Sequence, residues 1–147
     1  LSAQQLTSAC LSHLQKKNPE SFFMMIEGGN IDWAAHGNDG ATVIKEVLDF
    51  QKAIDVAYQF YLQHPEETLI VVTADHETGG VAVGYNGHEV GADRPVRLTF
   101  STKGHSGTIV PVFAYGRGAE EFSGVMKNID IPARIEALIY DKKGNMR

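Results

Sequence analysis

The strongest constraint on the fold is one long stretch of helical periodicity framed by two continuous apolar runs. From Thr42 to Gln63 the residues Val43, Val47, Phe50, Ile54, Ala57 and Tyr61 recur at intervals of three to four, and the pattern stops at His64-Pro65. Such spacing lines one face of a helix with apolar side chains, and a proline just beyond cannot continue it. On the N-terminal side, Phe22-Phe23-Met24-Met25-Ile26 runs without a polar break into Glu27-Gly28-Gly29-Asn30. On the C-terminal side, Thr68 to Thr73 is β-branched through its centre and ends at Ala74-Asp75-His76-Glu77 and Gly79-Gly80. Both runs read as buried strands that end in loops.

An earlier segment, about Ser2 to Lys17, carries Leu6, Cys10 and Leu14 at helical spacing and ends before Asn18-Pro19, which predicts an amphipathic helix. Helix, strand, helix, strand is the pattern of a βαβ unit. It predicts an α/β fold of three layers, α/β/α, around a largely parallel sheet, present in this chain as a partial domain. Beyond Gly84 the sequence is polar and glycine-rich up to Asp93, then strand-like at Val96 to Ser101 and Ile109 to Tyr115. Short helices are expected around Ala119 to Met126 and Pro132 to Tyr140, followed by a frayed Lys142 to Arg147 tail. No repeat or low-complexity linker divides residues 1–147, so a single unit without internal boundary is expected.

Charge and apolar content narrow the function. The net charge is −5 and the basic residues are scattered, which argues against a nucleic-acid surface. Phe22 to Ile26 and Leu69 to Val72, the longest apolar runs, fall far short of the roughly 20 residues that cross a bilayer. The start, Leu1-Ser2-Ala3-Gln4-Gln5, lacks the basic-then-apolar pattern of a signal peptide, as a processed or truncated protein would. Cys10 is the only cysteine, so a metal site would be built from His and carboxylates, a donor set suited to zinc, magnesium or manganese.

Ligands of α/β sheets gather beyond the carboxyl ends of strands. That rule selects Glu27 to His36, Asp75-His76 and His105. Asp32 and His36 are four apart; a helical turn beginning near Asp32 would put both on one face, able to hold one ion. By spacing alone, an N-capping Asp beside a surface His fits equally well. Asp75 and His76 are adjacent at a strand end, where a turn is needed to bring them together, and Gly79-Gly80 allows another segment to approach. His105, between Gly104 and Gly107, has no local partner. His13, His64 and His88 suggest no role. Neither Gly28-Gly29 nor Gly79-Gly80 fits a nucleotide-binding pattern.

Three blocks resemble a known family in order and interval: Phe22 to His36, Thr73-Ala74-Asp75-His76-Glu77-Thr78-Gly79-Gly80, and Gly104-His105-Ser106-Gly107 followed by Val110-Pro111-Val112-Phe113-Ala114-Tyr115-Gly116. The chain is similar to the C-terminal portion of the alkaline phosphatases over nearly its whole length. The resemblance implies hydrolysis of phosphate monoesters with two zinc ions and one magnesium, through a serine that is transiently phosphorylated. Carried over by position, Asp32, His36 and His105 resemble the ligands of the first zinc, Asp75 and His76 part of the second zinc site, and Glu27 part of the magnesium site. Trp33 stands where other members carry Lys or His, which bears on phosphate affinity and magnesium dependence.

The family's nucleophilic serine lies far upstream in an Asp-Ser-Ala or similar motif, with a metal-bridging aspartate and a phosphate-holding arginine. None of these is identifiable here, and Ser106 beside His105 is a poor substitute. The expectation is therefore a fragment inactive by itself, with a complete first zinc site and partial second zinc and magnesium sites. Its uncovered sheet edge would favour self-association or a homodimer. The resemblance also implies a periplasmic or secreted location. Two alternatives stay open at this point: a phosphodiesterase of the same superfamily, and a noncatalytic module binding metal or a partner.

Overall fold

A computed structural model describes residues 1–84 and 96–140. Its helices are α1 (Ala3–Lys17), α2 (Asn30–His36), α3 (Gly40–Gln63) and α4 (Asp130–Ile139), with a 3-10 turn at Ala119–Phe122. Its strands are β1 (Leu69–Val72), β2 (Glu77–Thr78), β3 (Ala82–Gly84), β4 (Arg97–Thr99), β5 (His105–Ser106) and β6 (Phe113–Gly116). The expected polar loop up to Asp93, with His88, and the expected tail Lys142 to Arg147 lie outside the described residues.

The two long helices begin where their side chains can satisfy free backbone N–H groups. Ser2 caps α1: its Oγ accepts from Gln5 N–H at 3.2 Å, while Ser2 N–H donates to Gln5 Oε1 at 3.0 Å. Asp39 does the same for α3, accepting Thr42 N–H at 3.1 Å and the Thr42 hydroxyl at 2.6 Å. The helices expected over Ser2 to Lys17, Thr42 to Gln63 and Pro132 to Tyr140 form within two residues of those bounds, whereas Ala119 to Met126 forms only the short 3-10 turn Ala119–Phe122. The face of α1 is not the expected one, however. Leu6 and Cys10 are exposed, and the buried residues are Thr7 and Leu11. The stripe has turned by one position because Thr7 can bury its methyl while its hydroxyl donates to Ala3 O at 2.8 Å.

Phe22 to Ile26 is not a strand; residues 21–28 belong to no helix or strand. The side chains of Phe22, Met24 and Ile26 are half-buried and those of Phe23 and Met25 exposed. This alternation has the period of an extended chain with one covered face. The strand expected over Thr68 to Thr73 does form, as β1. Its partner is β6 and the pair is antiparallel, with Leu69 opposite Gly116 and Val72 opposite Phe113. β2 with β5 and β3 with β4 are likewise antiparallel two-stranded ladders. The described pairing is thus helices with small antiparallel sheets rather than a continuous parallel one.

The residues group into two compact units, Leu1–Ala57 with His76–Ile109, and Tyr58–Asp75 with Val110–Arg147. In the second, Arg117 N–H donates to Thr68 O at 3.1 Å beyond the β1–β6 ladder, Tyr58 stands edge-on to Tyr115, and Phe122 of the 3-10 turn is 4 % exposed. In the first, Ala34 and Ala35 of α2 and Ala53 of α3 are buried. Gly79 draws the parts of this unit together. Its N–H donates to Gly104 O at 2.9 Å, and its carbonyl accepts Ser101 N–H at 3.0 Å and Thr102 N–H at 3.1 Å. At φ +93° a side chain there would be strained, and a Cβ would lie 2.8 Å from the Phe100 ring and 3.3 Å from Ala35 O. The close approach expected at Gly79-Gly80 is realised in this way.

Candidate metal centre

The first unit holds five of the six expected ligands, Glu27, Asp32, His36, His76 and His105, and brings the last four near one another. Asp32 and His36 lie one helical turn apart on α2, so their side chains share a face, and His36 Nε2 is 3.5 Å from Asp32 Oδ2. α2 is positioned by small residues: Ala34 and Ala35 bury its inner side, and Gly79 packs against the carbonyl of Ala35. At its C-terminus Asn38 adopts a left-handed φ of 55°, which Asn tolerates better than most residues. With its amide nitrogen turned toward them, Asn38 donates to Thr102 O at 2.8 Å and Ala35 O at 3.0 Å.

The same loop fixes the imidazole of His36. Its Nδ1 lies 2.5 Å from Lys103 O. A carbonyl can only accept, so Nδ1 carries a proton, and Nε2, facing Asp32, is the nitrogen through which the neutral ring would bind an ion. A metal-binding histidine is usually held by this kind of outer hydrogen bond.

β2 and β5 bring in the other two imidazoles. Thr78 lies opposite His105 and Glu77 opposite Ser106. The ring of His105 is stacked on that of His76, with centroids 3.6 Å apart, and is 5.1 Å from that of His36. One ligand atom each of Asp32, His76 and His105 lie within 4.8 Å of one another. Asp32 and His76 are partly buried and His105 is exposed, so the cluster is open on one side. Glu27 is exposed in the segment before α2, with its carboxylate near Gly29, and is not among the grouped residues. Asp75 is exposed and is the last residue of the second unit before the chain passes to His76.

Two residues essential to this geometry carry no role in the sequence reading. Glu77 accepts Val81 N–H at 2.8 Å, Gly80 N–H at 3.0 Å and the Ser106 hydroxyl, which ties the turn after β2 to β5. The Ser106 hydroxyl first, then the Val81 N–H, hold its carboxyl below the ordinary range. Thr78, 8 % exposed, donates its hydroxyl to Asp32 Oδ1 at 2.6 Å and lies 3.1 Å from His76 Nδ1. A signal for Thr78 was available: it is two residues from His76, and alternate side chains of an extended segment share a face.

The donor set is a carboxylate with imidazoles, one of which has its tautomer fixed by a carbonyl, and this fits zinc. Residues 2–96 match the profile of the alkaline phosphatase family. Alkaline phosphatase 4 of Bacillus subtilis (strain 168) is 28% identical over 193 aligned positions, covering 88% of this chain and 41% of that protein. The solved alkaline phosphatase from the Antarctic bacterium TAB5 is 41% identical with a TM-score of 0.79, covering 90% of this chain and 39% of that one. A variant of that enzyme with Mg bound in the M3 site is 39% identical with a TM-score of 0.78, covering 88% of this chain and 38% of that one. The chain thus spans less than half the length of these relatives. With the family profile covering most of its residues and α/β phosphatases as structural neighbours, the chain belongs to the alkaline phosphatase family.

Proposed function

We propose that this chain is the metal-binding part of a zinc- and magnesium-dependent phosphomonoesterase that acts on phosphate monoesters through a phosphoserine, with the serine supplied from outside these residues. The observation that carries the reading is the convergence of the Asp32–His36 pair with His76 and His105 from distant parts of the sequence, with His36 Nε2 facing Asp32. Asp32, His36 and His105 would hold one zinc, Asp75 and His76 would contribute to a second, and Glu27 to magnesium. Paired ions in such sites lie about 3.5–4 Å apart. Ligands of neighbouring ions therefore crowd together, and the closeness of His76 to Asp32 and His105 is consistent with that. Magnesium draws support from the related TAB5 enzyme.

When bound, zinc supplies Lewis-acid polarisation of a phosphoryl oxygen and acidifies water. The chain's own contribution is to hold its donors ready. Lys103 O keeps the proton of His36 on Nδ1, and Glu77 holds Ser106 next to His105. Ser106 is thereby engaged with a carboxylate, in keeping with a nucleophile located elsewhere. Every relative described above is a phosphatase, so neither the phosphodiesterase nor the noncatalytic alternative gains support.

In the complete protein we expect three layers and a largely parallel sheet, with homodimerisation or self-association where apolar side chains such as Phe113 (55 % exposed) and Tyr115 (51 %) lie open. A periplasmic or secreted location is part of the same proposal. No described helix is long and apolar enough to cross a membrane.

Metal titration with elemental analysis tests the reading. The purified chain should retain about one zinc after gel filtration, His105→Ala should lose it, and aryl phosphate turnover should be absent or slight. Failure to retain any zinc would contradict the assignment. Light scattering that shows a monomer over a wide concentration range would count against self-association.

A further inference from the structure

Thr78 is the one hydroxyl described between two candidate ligands. It sits on β2, with Oγ1 at 2.6 Å from Asp32 Oδ1 and 3.1 Å from His76 Nδ1. A hydroxyl has one proton to give. The shorter contact is to a carboxylate, where a hydrogen bond is charge-assisted and stronger, so the proton points to Asp32. The lone pairs of Oγ1 are then left for His76, and Nδ1 must carry a proton to bond to them. This makes Nε2 the basic nitrogen of His76, although the tautomer protonated at Nε2 is generally the one that dominates in a free neutral imidazole.

The effect on Asp32 is complementary. Oδ1 is occupied by Thr78, and Oδ2 faces His36 Nε2 at 3.5 Å. One carboxylate oxygen is used for orientation and the other lies beside His36 Nε2. Burial of Thr78 at 8 % exposure protects this arrangement from water, and its pairing with His105 fixes it to the strand that carries the third imidazole.

We propose that Thr78 is a positioning residue of the metal centre: through one hydroxyl it sets the tautomer of His76 and the orientation of Asp32. This role rests on the metal-centre reading given above. The proton order is His76 Nδ1–H to Thr78 Oγ1, and Thr78 O–H to Asp32 Oδ1. Lys103 O does for His36 what Thr78 does for His76, so two of the imidazoles are pre-set by partners outside the ligand set.

The test uses the full chain with two readouts, the imidazole nitrogen shifts of the metal-free protein and the zinc affinity measured against a chelator. His76 should be protonated at Nδ1 in the unsubstituted chain and in Thr78→Ser, and should shift toward protonation at Nε2 in Thr78→Val. Zinc affinity should fall about 10–100-fold in Thr78→Val, as for other outer partners of metal ligands, and be restored in Thr78→Ser. Should Thr78→Val fail to fold, the unsubstituted chain still decides the matter, because His76 protonated at Nε2 there overturns the role. Zinc binding unchanged in Thr78→Val overturns the role alone, whereas no zinc binding by the unsubstituted chain overturns the metal-centre reading and the role with it.

Discussion

His36 Nδ1 and the carbonyl of Lys103 lie 2.5 Å apart, which leaves His36 Nε2 facing the Asp32 carboxylate. A residue far away in sequence thus determines which nitrogen of His36 is available. His36→Ala should lower zinc affinity at least about tenfold. Chelator competition checks this, and an unchanged affinity would remove His36 from the ligand set.

Gly79 is where α2, β2 and the loop leading to β5 meet. Gly79→Ala would combine a strained φ of +93° with a Cβ 2.8 Å from the Phe100 ring, and should destabilise the chain by about 1–3 kcal/mol. A urea midpoint equal to that of the unsubstituted chain would show that the turn relaxes without loss.

The start of α3 depends on the charge of Asp39. The hydroxyl of Thr42, followed by its N–H, holds the Asp39 carboxyl below its ordinary value of 3.8. A carboxylate with a lowered folded-state pKa stabilises the fold above its unfolded value, and that contribution is lost as pH falls through the folded value. Asp39→Ala should therefore reduce the melting temperature by a few degrees at neutral pH, and the difference should shrink as pH falls below 3.8 through the lower folded-state value. Thermal melts across this range check both parts. A gap that persists in acid would assign the effect to something other than the carboxylate.

Among the described residues of the second unit, Phe122 is the large apolar side chain most completely covered, at 4 % exposure. Phe122→Ala should cost about 3–5 kcal/mol. Denaturant unfolding measures it, and a loss below about 1 kcal/mol would indicate that the 3-10 turn does not anchor this unit.

Much of this was legible in the sequence where the signal is local. The three-to-four spacing from Thr42 to Gln63 and its stop at His64-Pro65 specify α3, and the four-residue step from Asp32 to His36 specifies a shared helical face, because periodicity is a property of the segment itself. Where partners matter, local signals fell short. Phe22 to Ile26 has the composition of a buried strand but belongs to no helix or strand, and β1 pairs antiparallel with β6 although a long helix precedes it. The buried face of α1 differs from the apolar spacing at Leu6 and Cys10 because a threonine that satisfies its own hydroxyl can occupy a core position as well as a leucine. The roles of Thr78 and Glu77 are not set locally because they depend on residues 46 and 29 positions away.

The account stands or falls on imidazole and carboxylate ligation by this chain. X-ray absorption at the zinc edge of the zinc-loaded protein measures that directly. Two or more imidazole nitrogens at about 2.0–2.1 Å, with oxygen completing the shell and no sulfur from Cys10, is the predicted result. A shell of oxygen alone, unchanged by His36→Ala or His105→Ala, would contradict it.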